Sequence, residues 1–319
     1  MKKIISVLLI FILMLGLVGC GNDKTAQEKN VKIGLLRIDD SIPFYVAQEE
    51  GLFEKHQVNV ELLSFSSSSD QSVAMEAGEL DMAMNDMIVQ SLMKKNGTDT
   101  KIVQLSFGAT PEEGRFVVVA NPNSQIKTPK DLEGKKVAIS TNTMMDYLFE
   151  QFEQIYGLDG TKIEKINMPN LMLRVEALLA GNDIDAAILP DPLASYAIHS
   201  GATIVIDDSL LTENLSQSVI LATDDAVEHN KTEIMKVLQA YNEAQQMIND
   251  NPDQYREICL STANVPKELQ ESYPTPSYTN YAMPTEENIE RIQNWLESRN
   301  LLEKGYTYQE LVMDFGFVK

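Results

Sequence analysis

Ala74-Met-Glu-Ala-Gly78-Glu-Leu-Asp81-Met-Ala-Met84 and, far downstream, Ala177-Leu-Leu-Ala-Gly181-Asn-Asp-Ile-Asp185-Ala-Ala-Ile188 are two copies of one unit. Each reads as the end of a helix, a glycine suited to the left-handed position after the last turn, and an aspartate leading into a short apolar strand. The second copy carries one more residue between glycine and aspartate. A helix-to-strand unit that recurs at this separation predicts an α/β chain of two similar lobes, each carrying one copy.

The flanking sequence extends both copies. Ahead of the first, Val31 to Arg37 reads as a strand, and Pro43 opens a helix that runs to Glu50 and stops at Gly51. Val58 to Leu63 is a second strand, Asp70 to Ala77 a helix and Leu80 to Met84 a third strand. Ahead of the second copy, Thr128 to Gly134 is a capped turn and Lys136 to Ser140 a strand. Met145, Leu148, Phe149, Phe152 and Tyr156 then form a core-facing stripe of helical period. Phe116 to Ala120 and Ser218 to Ala222 flank this middle block and are expected to cross between lobes. Lobe 1 is therefore expected over 31–118 plus 219–319, completed by helices near 231–249, 285–299 and 308–314, with lobe 2 over 119–218.

The N-terminus predicts an address. Lys2 and Lys3 precede an uncharged apolar run, Ile4 to Val18, of signal-peptide length and too short for a spanning helix. Leu17-Val18-Gly19-Cys20 resembles a bacterial lipobox. Residues 1–19 are read as a lipoprotein signal peptide, Cys20 as the lipid attachment site, and 20–30 as a lipidated flexible tether. An extracytoplasmic protein held by lipid on the outer face of the cell membrane is expected, or on the periplasmic side in a two-membrane host.

The formal charge of −21 leaves no footprint for nucleic acid. With Cys20 committed to lipid, Cys259 has no disulfide partner, and His56, His199 and His229 stand in unrelated contexts, so no metal site is expected. The chain has no nucleophile elbow, Walker loop, dinucleotide-binding turn or zincin helix, so neither catalysis nor a cofactor is expected.

Further residues carry a family resemblance. Pro43-Phe-Tyr-Val-Ala47-Gln-Glu-Glu-Gly51-Leu-Phe53-Glu-Lys55 resembles the P-x-x-x-A-x-x-x-G-x-F-x-K block of substrate-binding proteins of the sulfonate, nitrate, taurine and thiamine-precursor class. Gly78 to Asp81, Asp131 to Ala138, Ala177 to Gly181 with Asp185, and Asp191-Pro192 follow in family order. The resemblance implies a two-lobed periplasmic-binding-protein type II fold, each lobe a mixed sheet flanked by helices. It also implies a monomer that closes by a hinge on a small solute and delivers it to an ABC permease and ATPase complex. The sequence departs from thiamine-precursor binders at Arg37-Ile-Asp39-Asp40-Ser41-Ile42, where those show a loop rich in Trp, Pro and Asn.

Ligands of open α/β lobes sit at the carboxyl ends of strands, beside helix N-termini. The loops that qualify offer Asp39, Asp40 and Ser41, then Ser66 and Ser67 of a serine run, Asn85 and Asp86, Thr141 and Asn142, and Asp191. Thr143 is expected to cap its helix together with Asp146. Among these loops only Arg37 is cationic. The four aspartates therefore favour a solute with a cationic or hydrogen-bond-donating nitrogen, packed against Phe44 or Tyr45. A sulfonate, taurine or nitrate ligand, and a sensor lipoprotein without an importer, remain the alternatives.

Overall fold

The computed structural model describes residues 30–181 and 183–317. The expected signal peptide, Cys20 and all of the tether except Asn30 lie outside the described residues.

From the N-terminal side, β1 (Val31–Leu36) leads through a single 3-10 turn into α1 (Ile42–Glu49) and α2 (Leu52–Lys55). There follow β2 (Val60–Phe65), α3 (Ser68–Glu76), β3 (Met82–Asn85), α4 (Met87–Lys95) and β4 (Thr100–Phe107). The middle block holds β5 (Phe116–Ala120), β6 (Lys136–Ile139), α5 (Met144–Ile155), β7 (Glu164–Asn167), α6 (Leu171–Ala180), β8 (Ala186–Pro190), α7 (Leu193–His199) and β9 (Thr203–Asp207). Last come β10 (Ser218–Thr223), α8 (Asp224–His229), α9 (Lys231–Asp250), α10 (Arg256–Thr262), α11 (Glu286–Ser298) and α12 (Tyr308–Leu311).

The strands form two sheets of matching layout, β2-β1-β3-β10-β4 and β7-β6-β8-β5-β9. In each, three strands run parallel and the fourth turns antiparallel. β3 and β8 are buried along their whole length, as strands covered by helices on both faces must be. Two mixed sheets flanked by helices make this a type II periplasmic-binding-protein fold.

The repeat seen in the sequence has a structural meaning. Gly78 and Gly181 take φ of +73° and +70°, the left-handed conformation open to glycine without a Cβ clash. Asp81 then exchanges two hydrogen bonds with Lys32: its Oδ2 accepts the Lys32 N–H at 2.9 Å and its own N–H reaches the Lys32 carbonyl at 2.9 Å. Asp185 does the same to Lys136, again at 2.9 and 2.9 Å. Each aspartate pins the start of the neighbouring parallel strand.

The two segments expected to cross between lobes do not cross. β5 pairs only within the second sheet and β10 only within the first. The connections are residues 108–115 and 208–217, and they are tied together. Buried Glu113 accepts the N–H groups of Gly108 and Ala109 at 3.1 and 3.0 Å, and the Asn214 amide donates to the carbonyls of Thr110 and Glu113 at 3.2 and 2.6 Å. The α5 stripe is core at Leu148, Phe149 and Phe152, but Tyr156 follows the last turn and is 40 % exposed. α11 spans both halves: Gln293 donates to Ser91 of α4 at 2.9 Å, and the Trp295 indole donates to Glu150 of α5 at 2.6 Å.

Candidate functional site

The segment Leu36 to Asp40, leaving the carboxyl end of β1, lines three cavities, each walled by residues associated with both sheets. Leu36 and Arg37 face one of about 340 Å³, with Ser64, Phe65, Ser66, Ala263 and Asn264 opposite Asn170, Leu171, Met172 and Leu193. Leu36, Ile38 and Asp40 face a tight one of about 40 Å³, together with Met84, Asp86, Phe116, Met144 and Met145. Asp39 faces a third of about 170 Å³, shared with Glu112, Arg115, Asp191 and Tyr273.

Asp39 and Asp40 are both buried. The Asp39 Oδ2 accepts the Tyr273 hydroxyl at 2.6 Å and its carbonyl accepts that of Tyr278 at 2.8 Å, while Oδ1 has no hydrogen-bond partner among the described residues. Burial pushes the Asp39 carboxyl up to about 8, assisted by Asp191 and Asp40 and opposed by the Tyr273 hydrogen bond. Asp40 accepts the Ser218 hydroxyl, and burial pushes it up to about 6. Ser41 is buried and its hydroxyl has no partner among the described residues. Phe44 departs from expectation: its ring is fully buried in the core, 4.5 Å from that of Tyr241, because it lies on the face of α1 that packs on α9. Tyr45 is half-buried and hydrogen-bonds to Ser64 at 2.9 Å.

The serine run is not a loose loop. Ser67 caps α3 by accepting the Asp70 N–H at 3.1 Å, and both Ser66 and Ser67 donate to the Asp70 carboxylate. Of the pair only Ser66 lines a cavity, beside Arg37. Asn85 is held by Gln71 at 2.6 Å. Asp86 caps α4 through Oδ1, which accepts from Ile88 and Val89 at 2.9 and 2.8 Å; its Oδ2 accepts the Met144 N–H of α5 at 3.1 Å. Burial raises the Asp86 carboxyl above the usual carboxylate range, against these three N–H donors that lower it. Thr141 and Asn142 are exposed and line none of the three cavities. Their N–H groups are taken by Asn167 at 3.1 Å and by Asp146 at 3.0 Å, and Thr143 caps α5.

Asp191 follows β8 and is half-buried. Its Oδ1 accepts from the Ser195 N–H and hydroxyl at 2.9 and 2.7 Å, and its Oδ2 from Arg115 at 3.3 Å. The Arg115 guanidinium also grips Asp207, its Nη2 2.5 Å from Oδ2. Sequence reasoning missed Arg115, which sits in a connection, and Tyr273, which reaches Asp39 from 234 residues away. It also missed Arg174, the largest fully buried side chain. Arg174 bonds the carbonyls of Met168 and Ile188 and touches the Met145 sulfur at 2.8 Å, with no carboxylate in ion-pair reach among the described residues. The expectation that Arg37 is the only cation these loops offer therefore needs widening: Arg37 lines one cavity, Arg115 lines another, and Arg174 lies behind Met145.

Two mixed sheets joined by paired connections, with cavities walled from both sides, define the class as a two-lobed solute-binding protein. Solved structures agree on the fold. The alkanesulfonate-binding protein SsuA of Xanthomonas axonopodis pv. citri, bound to MOPS, matches with a TM-score of 0.75 at 16% identity over 89% of this chain and 98% of its own. The periplasmic aliphatic sulphonate binding protein SsuA of Escherichia coli matches at 0.72 and 22% identity, over 89% of this chain and 97% of its own. In sequence, a Bacillus subtilis (strain 168) protein with the provisional name aliphatic sulfonates-binding protein is 25% identical over 282 residues, covering 85% of this chain and 82% of its own. The model of the family described as NMT1/THI5 like matches residues 39–255, and this chain belongs to that family.

Proposed function

We propose that this chain is an extracytoplasmic solute-binding protein that captures a small nitrogen-containing organic molecule between its lobes and delivers it to an ABC importer. One observation carries the ligand chemistry: Asp39, whose buried Oδ1 has no donor among the described residues, lines a cavity of about 170 Å³ together with Asp191. A buried carboxyl oxygen without a donor is costly, and a protonated amine or an amino group on a heterocycle would satisfy it. Delivery is supported by family membership and by the binding-protein names of the relatives. The lobes of this reading, expected at 31–118 plus 219–319 and at 119–218, shift by a few residues so that β5 belongs whole to the second and β10 whole to the first, and they close on the connections that Glu113 and Asn214 tie. Calorimetric titration with small amines and aminopyrimidines tests the site. Asp39→Asn is expected to weaken binding roughly 10-fold or more; unchanged affinity in Asp39→Asn and in Asp191→Asn would sink it.

A second reading has its own observation. Arg37 hydrogen-bonds only to the carbonyls of Thr262 and Ser261, at 3.2 and 3.1 Å, and has no ion pair among the described residues. It lines the largely apolar cavity of about 340 Å³, which suits an organic anion such as a sulfonate. The relatives' names favour the same class.

Cys20 is the proposed lipid attachment site. Cys20→Ser is expected to move the protein from the membrane fraction to a soluble one, and retention on the membrane would contradict the anchor.

A further inference from the structure

α11 is fastened to the first-sheet side at several points. Ahead of it the Ala282 carbonyl accepts the Leu105 N–H of β4 at 2.8 Å, and behind it the Met313 N–H reaches the Ile102 carbonyl of the same strand at 2.9 Å. Between them Gln293 donates to Ser91 of α4 at 2.9 Å, and Gln90 of α4 donates to the Leu311 carbonyl at 2.9 Å. Other side chains reach the second-sheet side. The Trp295 indole donates to Glu150 of α5 at 2.6 Å, and its ring stands edge-on to Tyr147 at 5.6 Å. Arg299, which follows the helix, donates to the same Glu150 carboxylate. Arg291 pairs with Glu213 of the connection 208–217 at 2.7 Å.

The charges on the two sides are complementary. Asp146, Glu150 and Glu153 of α5 share one cation from their own sheet, Lys165 of β7, at 3.8, 3.4 and 3.3 Å. Arg299 brings a second from α11, with its Nη2 3.9 Å from Asp146. None of Tyr147, Glu150, Glu213, Arg291, Trp295 and Arg299 lines any of the three cavities. Met144, which Asp86 grips, lies six residues before Glu150, about 9 Å along α5. The first-sheet side thus holds α5 at two points, one at a cavity wall and one outside the cavities.

We propose that α11 is a clasp: Trp295 and Arg299 hold Glu150, and so fix the resting arrangement of the two sheets from outside the cavities. Its grip is the same whatever solute the cavities take, so it does not rest on the nitrogen-binding reading. It sets the fraction of unliganded protein in which α5 meets both α4 and α11. Capture of any solute that needs walls from both sheets scales with that fraction. The Glu150–Arg299 pair is partly exposed, so salt weakens it.

Trp295 is the chain's single tryptophan, so its fluorescence reports the clasp directly. Two quantities are measured on the unliganded protein from about 0.02 to 0.5 M sodium chloride: quenching by acrylamide, a neutral probe, and the radius of gyration from small-angle scattering. The samples are wild type, Arg299→Gln, Glu150→Gln and the double variant, each also with Asp86→Asn, which removes the bond to the Met144 N–H. Salt is expected to raise both quenching and radius in wild type. Either single variant should show the high-salt values already at low salt, with the ratio of the two arrangements shifted roughly 3- to 10-fold. The double variant should go no further. Scattering decides, because a contact of only local consequence would alter quenching and leave the radius alone. A radius unchanged by these variants with and without Asp86→Asn, or a salt response that Arg299→Gln keeps in full, overturns the clasp.

Discussion

The Asp86 carboxylate holds two helices from different sheets at once: Oδ1 caps its own α4, and Oδ2 accepts the Met144 N–H at 3.1 Å across the cleft. A hydrogen bond to a charged group contributes about 1.5–3 kcal/mol, so this contact is worth roughly a 10-fold bias or more toward the arrangement in which α4 and α5 meet. Asp86→Asn retains an oxygen for the α4 cap and turns an N–H donor toward Met144. Met144→Pro removes the N–H at the first helical position, where proline fits after the extended Thr143. Each single variant is expected to enlarge the unliganded protein by small-angle scattering, the double variant no further than either, and Met144→Ala not at all. Unaltered scattering in both single variants would refute the latch.

The sequence places Phe44 beside the ligand, whereas its position against Tyr241 makes it core. Phe44→Ala should destabilise the fold by about 3–5 kcal/mol. Phe44→Leu should be milder, with solute affinity unchanged. A loss of affinity larger than the loss of stability would return the ring to the ligand.

Stability should depend on pH in an unusual direction. Burial raises Asp39 to about 8, Asp40 to about 6 and Asp208 to about 7. Around them stand Asp191, Glu113, Asp207, Arg115 and the phenols of Tyr273, Tyr278 and Tyr241. With folded pKa values above the unfolded value of about 4, the folded chain holds more protons between pH 4 and 8. These groups therefore favour folding at mildly acidic pH and lose that contribution as pH rises to about 8. The unliganded melting temperature should fall from pH 5 to 8, and Asp39→Asn with Asp208→Asn should flatten the slope. A melting temperature that rises over this window contradicts the assignment.

Local chemistry made much of this legible. The two glycine-to-aspartate turns, the Pro43 start of α1 and the α5 stripe are set within a few residues of themselves, and their pattern survives in the sequence. Asp39, Asp40, Asp86 and Asp191 line cavities near strand ends, which is where the strand order places them. What stayed hidden depends on distant chain. Tyr273 lies in an irregular stretch before α11, Arg115 in a connection, and the buried Arg174 on a helix whose sequence reads as ordinary. In the serine run Ser67 and Asp70 satisfy each other as a helix cap, while Ser66 lines a cavity. Neither β5 nor β10 crosses, because each is a full member of one sheet and the crossing is left to the connections beside it.

The most direct test is thermal stability of the protein after unfolding and refolding to strip carried-over ligand, with amines and aminopyrimidines set against alkanesulfonates, taurine and nitrate. At about 100 times the dissociation constant a ligand adds about 2.7 kcal/mol, several degrees for lobes of this size. The account predicts a shift with a nitrogen-bearing cation or heterocycle that shrinks in Asp39→Asn. A shift with sulfonates alone, equal in wild type and Asp39→Asn, would contradict it.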